Sequence, residues 1–326
     1  MNSIALVVGT RGSELALAQT QLIIDLLHKK NSDKSKKLEI TKKIIKTSGD
    51  EKTSGPHSLQ GLTGKDSFTR ELDEALVRQE IDLAVHSLKD VPVDSDSIYN
   101  DKIQLAAFPP RDSPFDVLIT KKGGQTLNGL RKSAIIGTSS ARRTVQLKKF
   151  RPDLDVREIH GNVPTRIRKL RDDKPDLDGI ILAEAGLKRL GLQREIDEVI
   201  SKDVILPAAG QGCIAVSVRS GDELTRSLVK QIDDETTRNC VGAERAFSSE
   251  LGAGCNLPIA ALATMSQGTT ILEGLIALDS FGARSSAGDY GVVRAEITGP
   301  SEKGDELGRR LARDLKKQIA TEEGGK

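Results

Sequence analysis

The stretch IALVVGTRGS, residues 4–13, introduces the unit that decides the fold. Its apolar first half predicts a buried strand, and the turn that follows ends in Ser13, a residue type that often caps helices. Leucines at positions 15, 22 and 26 then lie near helical spacing. This stretch therefore predicts a strand–turn–helix unit of the kind that builds α/β sheets.

The same unit recurs along the first two thirds of the chain. It returns as AIIGTSSARR, residues 134–143, with Arg142 and Arg143 in the first turn of the predicted helix. Further strands are predicted at 39–45, 81–85, 155–159 and 179–183, and further helices at 68–79, 141–150 and 163–172. Strands that alternate with helices predict mostly parallel sheets, here in two α/β lobes with a cleft between them.

The rest of the chain has a different pattern. Two Pro- and Gly-rich segments, 109–114 and 206–212, are interpreted as crossings between the lobes, and a strand at 214–218 is expected to rejoin the first sheet. After them come helices predicted at 236–250 and 302–320, strands predicted at 259–264, 271–278 and 292–298, and a Gly- and Ser-rich hairpin loop at 280–288. Because the strand–helix alternation is lost, this part is predicted to be an α+β domain.

The composition excludes several classes of function. Lys and Arg total 49 against 47 Asp and Glu, aromatic residues make up 2% of the chain, and Trp is absent, so we expect no nucleic-acid partner. Three cysteines without CxxC spacing and four histidines predict no metal site. No apolar run is long enough to span a bilayer and no secretory signal is visible, so we expect a cytoplasmic protein.

Arginines and hydroxyl residues gather in the turns that connect strands to helices. A helix N-terminus offers unpaired N–H groups and partial positive charge, and a guanidinium can grip a carboxylate through two hydrogen bonds. Several such turns predict binding of a ligand with several carboxylates; the alternative is a set of solvated surface arginines. The residues concerned are Arg11, Ser13, Ser139, Ser140, Arg142, Arg143 and Arg166.

Two other features suggest catalysis. Asp90 follows a buried strand, in the segment LKDVP, where a carboxylate can exchange protons and stabilise a nearby cation; the alternative is an ion pair with Lys89 at the end of a loop. Cys255 lies between Gly254 and Asn256, with Pro258 shortly after, which favours an accessible loop and a reactive thiolate. Spacing by itself does not show that this thiol reacts.

Seven motifs, in order along nearly the whole chain, resemble those of the porphobilinogen deaminase family. They lie at residues 9–16, 84–92, 137–143, 161–166, 181–191, 210–212 and 254–259. The resemblance implies an α/β fold of two periplasmic-binding-protein-like (type II) lobes with mixed, mostly parallel sheets, plus a C-terminal α+β domain. The predicted domains are 1–107 with 212–230, then 108–211, then 231–326.

The resemblance also implies a reaction, a cofactor and roles for residues. Four molecules of porphobilinogen would be joined into hydroxymethylbilane with release of four ammonia, on a dipyrromethane primer attached to Cys255 by a thioether, in a monomeric enzyme of tetrapyrrole synthesis. Asp90 would be the catalytic acid and base, and Gly212 would let the backbone approach the cofactor. The residues implied to bind carboxylates are Arg11, Ser13, Lys89, Thr138, Ser139, Ser140, Arg142, Arg143, Arg166 and Arg189, with Lys65, Phe68, His160 and Gln211 as further possible site residues.

The sequence departs from the family pattern at four places. His160 stands where an arginine is usual, which removes a fixed charge and a two-pronged donor. The loop at 62–68 replaces a Gly-rich run, Gly252 replaces an acidic residue, and Pro164 takes a position at the start of a helix, which proline tolerates.

Two other classes of function remain open at this point. One is a non-catalytic two-lobed binding protein for a polycarboxylate, which would not need both Asp90 and Cys255. The other is a nucleic-acid-binding or regulatory protein, which the near-neutral charge disfavours.

Overall fold

The computed structural model describes residues 3–32, 37–47, 69–93, 101–172, 176–252, 258–277 and 291–324. The chain forms two compact units, one made of Met1–Asp112 and Cys213–Arg238 and the other of Ser113–Gly212 and Asn239–Lys326. The second unit contains two separate sheets. The division into three domains at the boundaries given above stays a prediction.

The strands and helices take their labels from chain order. The strands are β1 (Ile4–Thr10), β2 (Leu38–Ile44), β3 (Leu83–Ser87), β4 (Ile103–Ala107), β5 (Asp116–Thr120), β6 (Ile135–Gly137), β7 (Asp155–Arg157), β8 (Gly179–Ala183), β9 (Glu198–Val199), β10 (Ile214–Arg219), β11 (Ile259–Ser266), β12 (Thr269–Ala277) and β13 (Val292–Pro300). The helices are α1 (Glu14–Asn31), α2 (Arg70–Val77), α3 (Ala141–Phe150), α4 (Val163–Arg171), α5 (Glu184–Arg189), α6 (Glu223–Val229), α7 (Glu235–Glu250) and α8 (Gly304–Gly324).

The first unit is built on a five-stranded sheet in the order β2-β1-β3-β10-β4. Strands β1, β2 and β3 pair in parallel, and β10 runs against both of its neighbours. Val8 and Leu83 pack with Ile23 and Leu27 of α1 on one face, whereas Ala84 packs with α2 on the other. Burial of both faces explains why the central strands β1 and β3 are mostly apolar, without strict alternation.

The larger sheet of the second unit has the same arrangement, in the order β7-β6-β8-β5-β9. Strands β7, β6 and β8 are parallel, and β5 is the reversed strand. Leu147 of α3 packs on one face, and Leu170 of α4 and Leu187 of α5 pack on the other. In each unit one reversed strand joins four that share a direction, which confirms the predicted mixed, mostly parallel α/β sheets.

The last part of the second unit is an antiparallel sheet, β11-β12-β13. Phe247 of α7 and Leu311 of α8 are buried against its Leu272, so the predicted α+β domain is confirmed. Gly274 of β12 makes this packing possible, because a Cβ atom there would lie 2.6 Å from Cε2 of Phe247.

Most predicted elements have the expected place, with ends that differ by a few residues. The strand predicted at 155–159 ends at Arg157, and the hairpin loop at 280–288 lies outside the described residues. The elements that the sequence did not predict are β4, β5, β9, α5 and α6. Among them β5 starts with an acidic residue, Asp116, which breaks the apolar pattern of a buried strand.

Candidate functional site

In the first unit, the turns that follow β1 and β3 lie side by side. Parallel neighbours bring their carboxyl ends to the same edge of a sheet, so Arg11, just after β1, comes close to the segment after β3. A small open pocket of about 70 Å³ lies at this edge. Its lining includes Arg11, Ser13, Gln19, His86, Ser87 and Asp90.

The position of Asp90 depends on its apolar neighbour Leu88. Leu88 is buried, its N–H donates to the carbonyl of Cys213 at 3.0 Å, and its own carbonyl accepts from Val91. These contacts hold a short 3₁₀ turn, Leu88–Asp90, in which Lys89 and Asp90 are only half-buried. The carboxylate therefore reaches the pocket from a rigid support.

The polar residues of the pocket are held by hydrogen bonds. Gln19 and Ser87 exchange hydrogen bonds at 3.0 and 3.2 Å, and Ser13 caps α1 by accepting from the N–H of Ala16. His86 Nε2 lies 2.9 Å from the hydroxyl of Ser217. Burial, with a smaller effect of the Arg11 charge, lowers the pKa of His86 to about 4, so its ring is neutral at neutral pH.

In the second unit, Arg142 and Arg143 are buried and already paired. Arg143 donates to Asp116 Oδ1 through Nε at 3.0 Å and through Nη2 at 2.6 Å, and Arg142 Nη1 lies 2.8 Å from Asp116 Oδ2. Only 6% of each arginine is exposed, and Asp116 is fully buried. Burial favours the neutral acid, but the two guanidinium charges outweigh it and hold the pKa of Asp116 well below its usual range. Asp116 was not among the site residues predicted from the sequence.

Unlike Arg142 and Arg143, Arg166 contacts no carboxylate among the described residues. It is half-buried at the end of the first turn of α4, and its Nε donates to the carbonyl of Gly161 at 2.8 Å. Burial, and then the charge of Arg143, lower its pKa to about 10. A half-buried positive charge with a second one nearby is a favourable place for an anion.

The start of α3 has free capacity for hydrogen bonds. Ser140 is its N-cap, yet its side chain makes no capping hydrogen bond, and its N–H donates to Thr138 Oγ1 at 3.2 Å. Ser139 donates to the carbonyl of Ile159 at 2.7 Å. The exposed His160 lies 3.4 Å from Ser139 Oγ through Nδ1 and 3.0 Å from Glu158 through Nε2.

Three further predicted residues lie in the segment before β10 or contact it. Arg189 donates to the carbonyl of Gly212 at 2.6 Å. Gln211 is buried and donates to the carbonyl of Pro114 at 2.6 Å and to Asp116 Oδ1 at 3.0 Å. Gly212 has a φ of +83°, a conformation that favours glycine.

Some predicted site residues cannot be placed. Cys255, Lys65 and Phe68 lie outside the described residues. Within the described ranges, no three His, Cys, Asp or Glu side chains are grouped as metal ligands. None of the helices in that part of the chain is both long and apolar enough to cross a membrane.

Comparison with known proteins gives matches over nearly the whole chain. The family "Porphobilinogen deaminase, dipyromethane cofactor binding domain" matches residues 6–227, and "Porphobilinogen deaminase, C-terminal domain" matches residues 238–317. Porphobilinogen deaminase of Thermus thermophilus is 41% identical over 315 residues, 96% of this chain and 95% of the relative. That of Limosilactobacillus reuteri is 44% identical over 272 residues, 83% of this chain and 85% of the relative.

Solved structures show weaker similarity. The methionine-binding protein MetQ matches with a TM-score of 0.41 and 11% identity, over 72% of this chain and 91% of its own. The VFT2 domain of Bordetella pertussis BvgS matches with a TM-score of 0.36 and 13% identity, over 71% and 86%. The fold assignment therefore rests on the strand orders described above.

Proposed function

The chain belongs to the porphobilinogen deaminase family, and on that premise we propose that it joins four molecules of porphobilinogen into hydroxymethylbilane with release of four ammonia. This reaction is a step of tetrapyrrole synthesis, and the enzyme uses a covalently attached dipyrromethane cofactor. We propose Cys255 as the point of attachment. When bound, the dipyrromethane supplies the primer to which substrate rings are added.

The observation that carries the proposal is the shared pocket of Asp90, Arg11 and Ser13. A carboxylate beside a guanidinium suits a substrate that has both a basic amine and acidic side chains. Asp90 is proposed to donate a proton to the leaving amine, to stabilise the positive charge that develops, and to accept the proton of the attacking ring. Arg11 and Ser13 are proposed to bind a substrate carboxylate.

The cofactor and the growing chain carry an acetate and a propionate on each ring, so they need cationic partners. The half-buried guanidinium of Arg166, which has no carboxylate partner in the described part of the chain, and the uncapped start of α3 at Ser140 fit this need. The residues proposed to hold these carboxylates are Thr138, Ser139, Ser140, Arg142, Arg143, Arg166, Arg189 and Lys89.

Other predicted residues receive smaller roles. The left-handed backbone of Gly212 is proposed to allow close approach of a ring, and Gln211 to hold the same segment in place. Lys65, Phe68 and His160 are proposed as peripheral members of the site. A cytoplasmic, monomeric enzyme that has neither nucleic acid nor a membrane as a partner is also part of the proposal.

Intact-mass spectrometry of the purified protein tests this function. The expected result is an adduct equal to two linked pyrroles that is lost in Cys255→Ser, together with turnover of porphobilinogen by the wild type. A wild-type protein with neither adduct nor turnover contradicts it. If such a protein still binds porphobilinogen, the alternative of a non-catalytic polycarboxylate-binding protein is supported instead.

A further inference from the structure

Asp116 is the centre of a buried charge cluster in the second unit. Its carboxylate contacts Arg142 at 2.8 Å, Arg143 at 2.6 Å and the side-chain amide of Gln211 at 3.0 Å. None of its surface is exposed. An ionised carboxylate is found in such a place only when its partners compensate for the loss of water.

The cluster carries more positive than negative charge. One carboxylate faces Arg142 and Arg143, and the charge of Arg143 also acts on Arg166. Asp116 can neutralise only one of these three guanidinium groups. The excess positive charge remains available to an anionic ligand, so the carboxylate does not cancel the attraction of the cluster.

Asp116 also determines how the two guanidinium groups are oriented. Arg143 meets it edge-on through Nε and Nη2, which fixes the plane of that group. Each arginine has in addition a backbone acceptor of its own, Leu206 for Arg142 and Ile181 for Arg143. Asp116 is a contact that the two arginines share.

We propose that Asp116 is a positioning residue, which aims the guanidinium groups of Arg142 and Arg143 at the carboxylates of the bound pyrroles. This inference rests on the proposed function, because it concerns the same ligand. A purely structural role, in which Asp116 only compensates buried charge, makes a different prediction. In that case any carboxylate nearby would be sufficient.

The chain offers a way to separate the two roles. The amide of Gln211 lies 3.0 Å from Asp116 Oδ1, so Gln211→Glu combined with Asp116→Asn moves the negative charge to a neighbouring side chain. Asp197 provides the matched control. It accepts hydrogen bonds from the N–H and the hydroxyl of Thr120 at 2.6 and 2.7 Å, at the opposite end of β5.

The experiment compares Asp116→Asn, Asp116→Asn/Gln211→Glu, Asp197→Asn and the wild type. We measure the melting temperature, the cofactor adduct by intact mass, and KM and kcat for porphobilinogen. Binding is also measured without turnover, in the Cys255→Ser background, from the rise in melting temperature that porphobilinogen causes.

If Asp116 positions the arginines, Asp116→Asn weakens porphobilinogen binding about tenfold or more, because misaligned groups lose their two-pronged contacts. The double variant recovers the melting temperature while its binding stays weak. Asp197→Asn lowers the melting temperature and leaves KM unchanged. If Asp116→Asn does not fold, the double variant alone is compared with the wild type.

Three outcomes overturn the inference. The first is that Asp116→Asn binds porphobilinogen within twofold of the wild type. The second is that the double variant recovers binding together with the melting temperature. The third is that neither variant folds, which would make the carboxylate a requirement of the fold. All three are read against a wild type that turns over porphobilinogen. An inactive wild type refutes the proposed function instead.

Discussion

His86 Nε2 lies 2.9 Å from the hydroxyl of Ser217, across the antiparallel pair of β3 and β10. The contact joins the strand that leads to Asp90 with the strand that enters the first unit after residue 212. It also accounts for a histidine on a buried strand, because its polar nitrogen has a partner there. Protonation of the ring would add a buried charge that the charge of Arg11 repels.

This histidine should make the stability of the protein depend on pH. Its pKa falls from 6.5 to about 4 in the folded protein, so the unfolded chain binds more protons between these values. The free energy of unfolding should therefore decrease as the pH falls from 6.5 to about 4, by at most about 3 kcal/mol from this group. Denaturant unfolding of the wild type and His86→Asn at pH 7 and pH 4.5 measures this decrease in the free energy of unfolding. An equal decrease in both proteins would show that His86 does not cause it.

Substitution of Asp90 should remove activity and keep the fold. Asp90→Ala deletes a half-buried carboxylate from a turn that Leu88 holds in place, so the melting temperature should change little. Turnover should fall by a factor of about 100 or more, since the proton donor and acceptor is lost. Asp25→Ala, on the exposed face of α1, is the control and should be fully active. Normal turnover by Asp90→Ala would refute the proposed role.

Arg166 and Arg168 form a matched pair on α4. Arg166 is half-buried and Arg168 is exposed. Arg166→Gln should raise KM by about 10- to 100-fold, because a charged hydrogen-bond partner of a carboxylate contributes about 1.5–3 kcal/mol. Arg168→Gln should leave KM within about twofold, as expected for a solvated surface charge. Steady-state kinetics of both variants tests this, and equal effects would assign Arg166 to the surface as well.

His160→Arg should strengthen binding of the substrate. An arginine adds a permanent charge and a two-pronged donor next to Ser139, although Glu158 competes for it. The expected result is a lower KM, with a further decrease in His160→Arg/Glu158→Gln. If neither variant changes KM or the distribution of covalent intermediates, position 160 lies outside the site.

Because β12 packs closely against α7, substitution of Gly274 should lower the stability of the protein without changing its catalytic rate. Gly274→Ala places a methyl group 2.6 Å from Cε2 and 2.7 Å from Cζ of Phe247. Overpacking of this kind costs about 1–3 kcal/mol, so the melting temperature should decrease. The kcat at low temperature should stay the same. An unchanged melting temperature would show that the ring of Phe247 can move aside.

The candidate site could be predicted in part because its signals are local. A turn with Arg11 and Ser13 after one strand, and Asp90 after another, is enough to expect both at one edge of a parallel sheet. His86 gave no such signal, because a histidine in an apolar strand has the same pattern whether its partner is a serine or a ligand. Its neutral state follows from burial and from the charge of Arg11, and its ring contacts Ser217, far away in the chain.

The amino-acid sequence by itself determined the strand–turn–helix units, the family and the residues that bear charge at the turns, since periodicity and turn chemistry act over a few residues. Only the tertiary structure decided that Arg142 and Arg143 are buried against Asp116 while Arg166 has no carboxylate partner among the described residues. The physical reason is that the orientation of a guanidinium, and its capacity to bind a further anion, depend on what lies opposite it. That partner, Asp116, is the first residue of β5. An acidic residue at the start of this strand interrupts the apolar pattern by which buried strands are predicted.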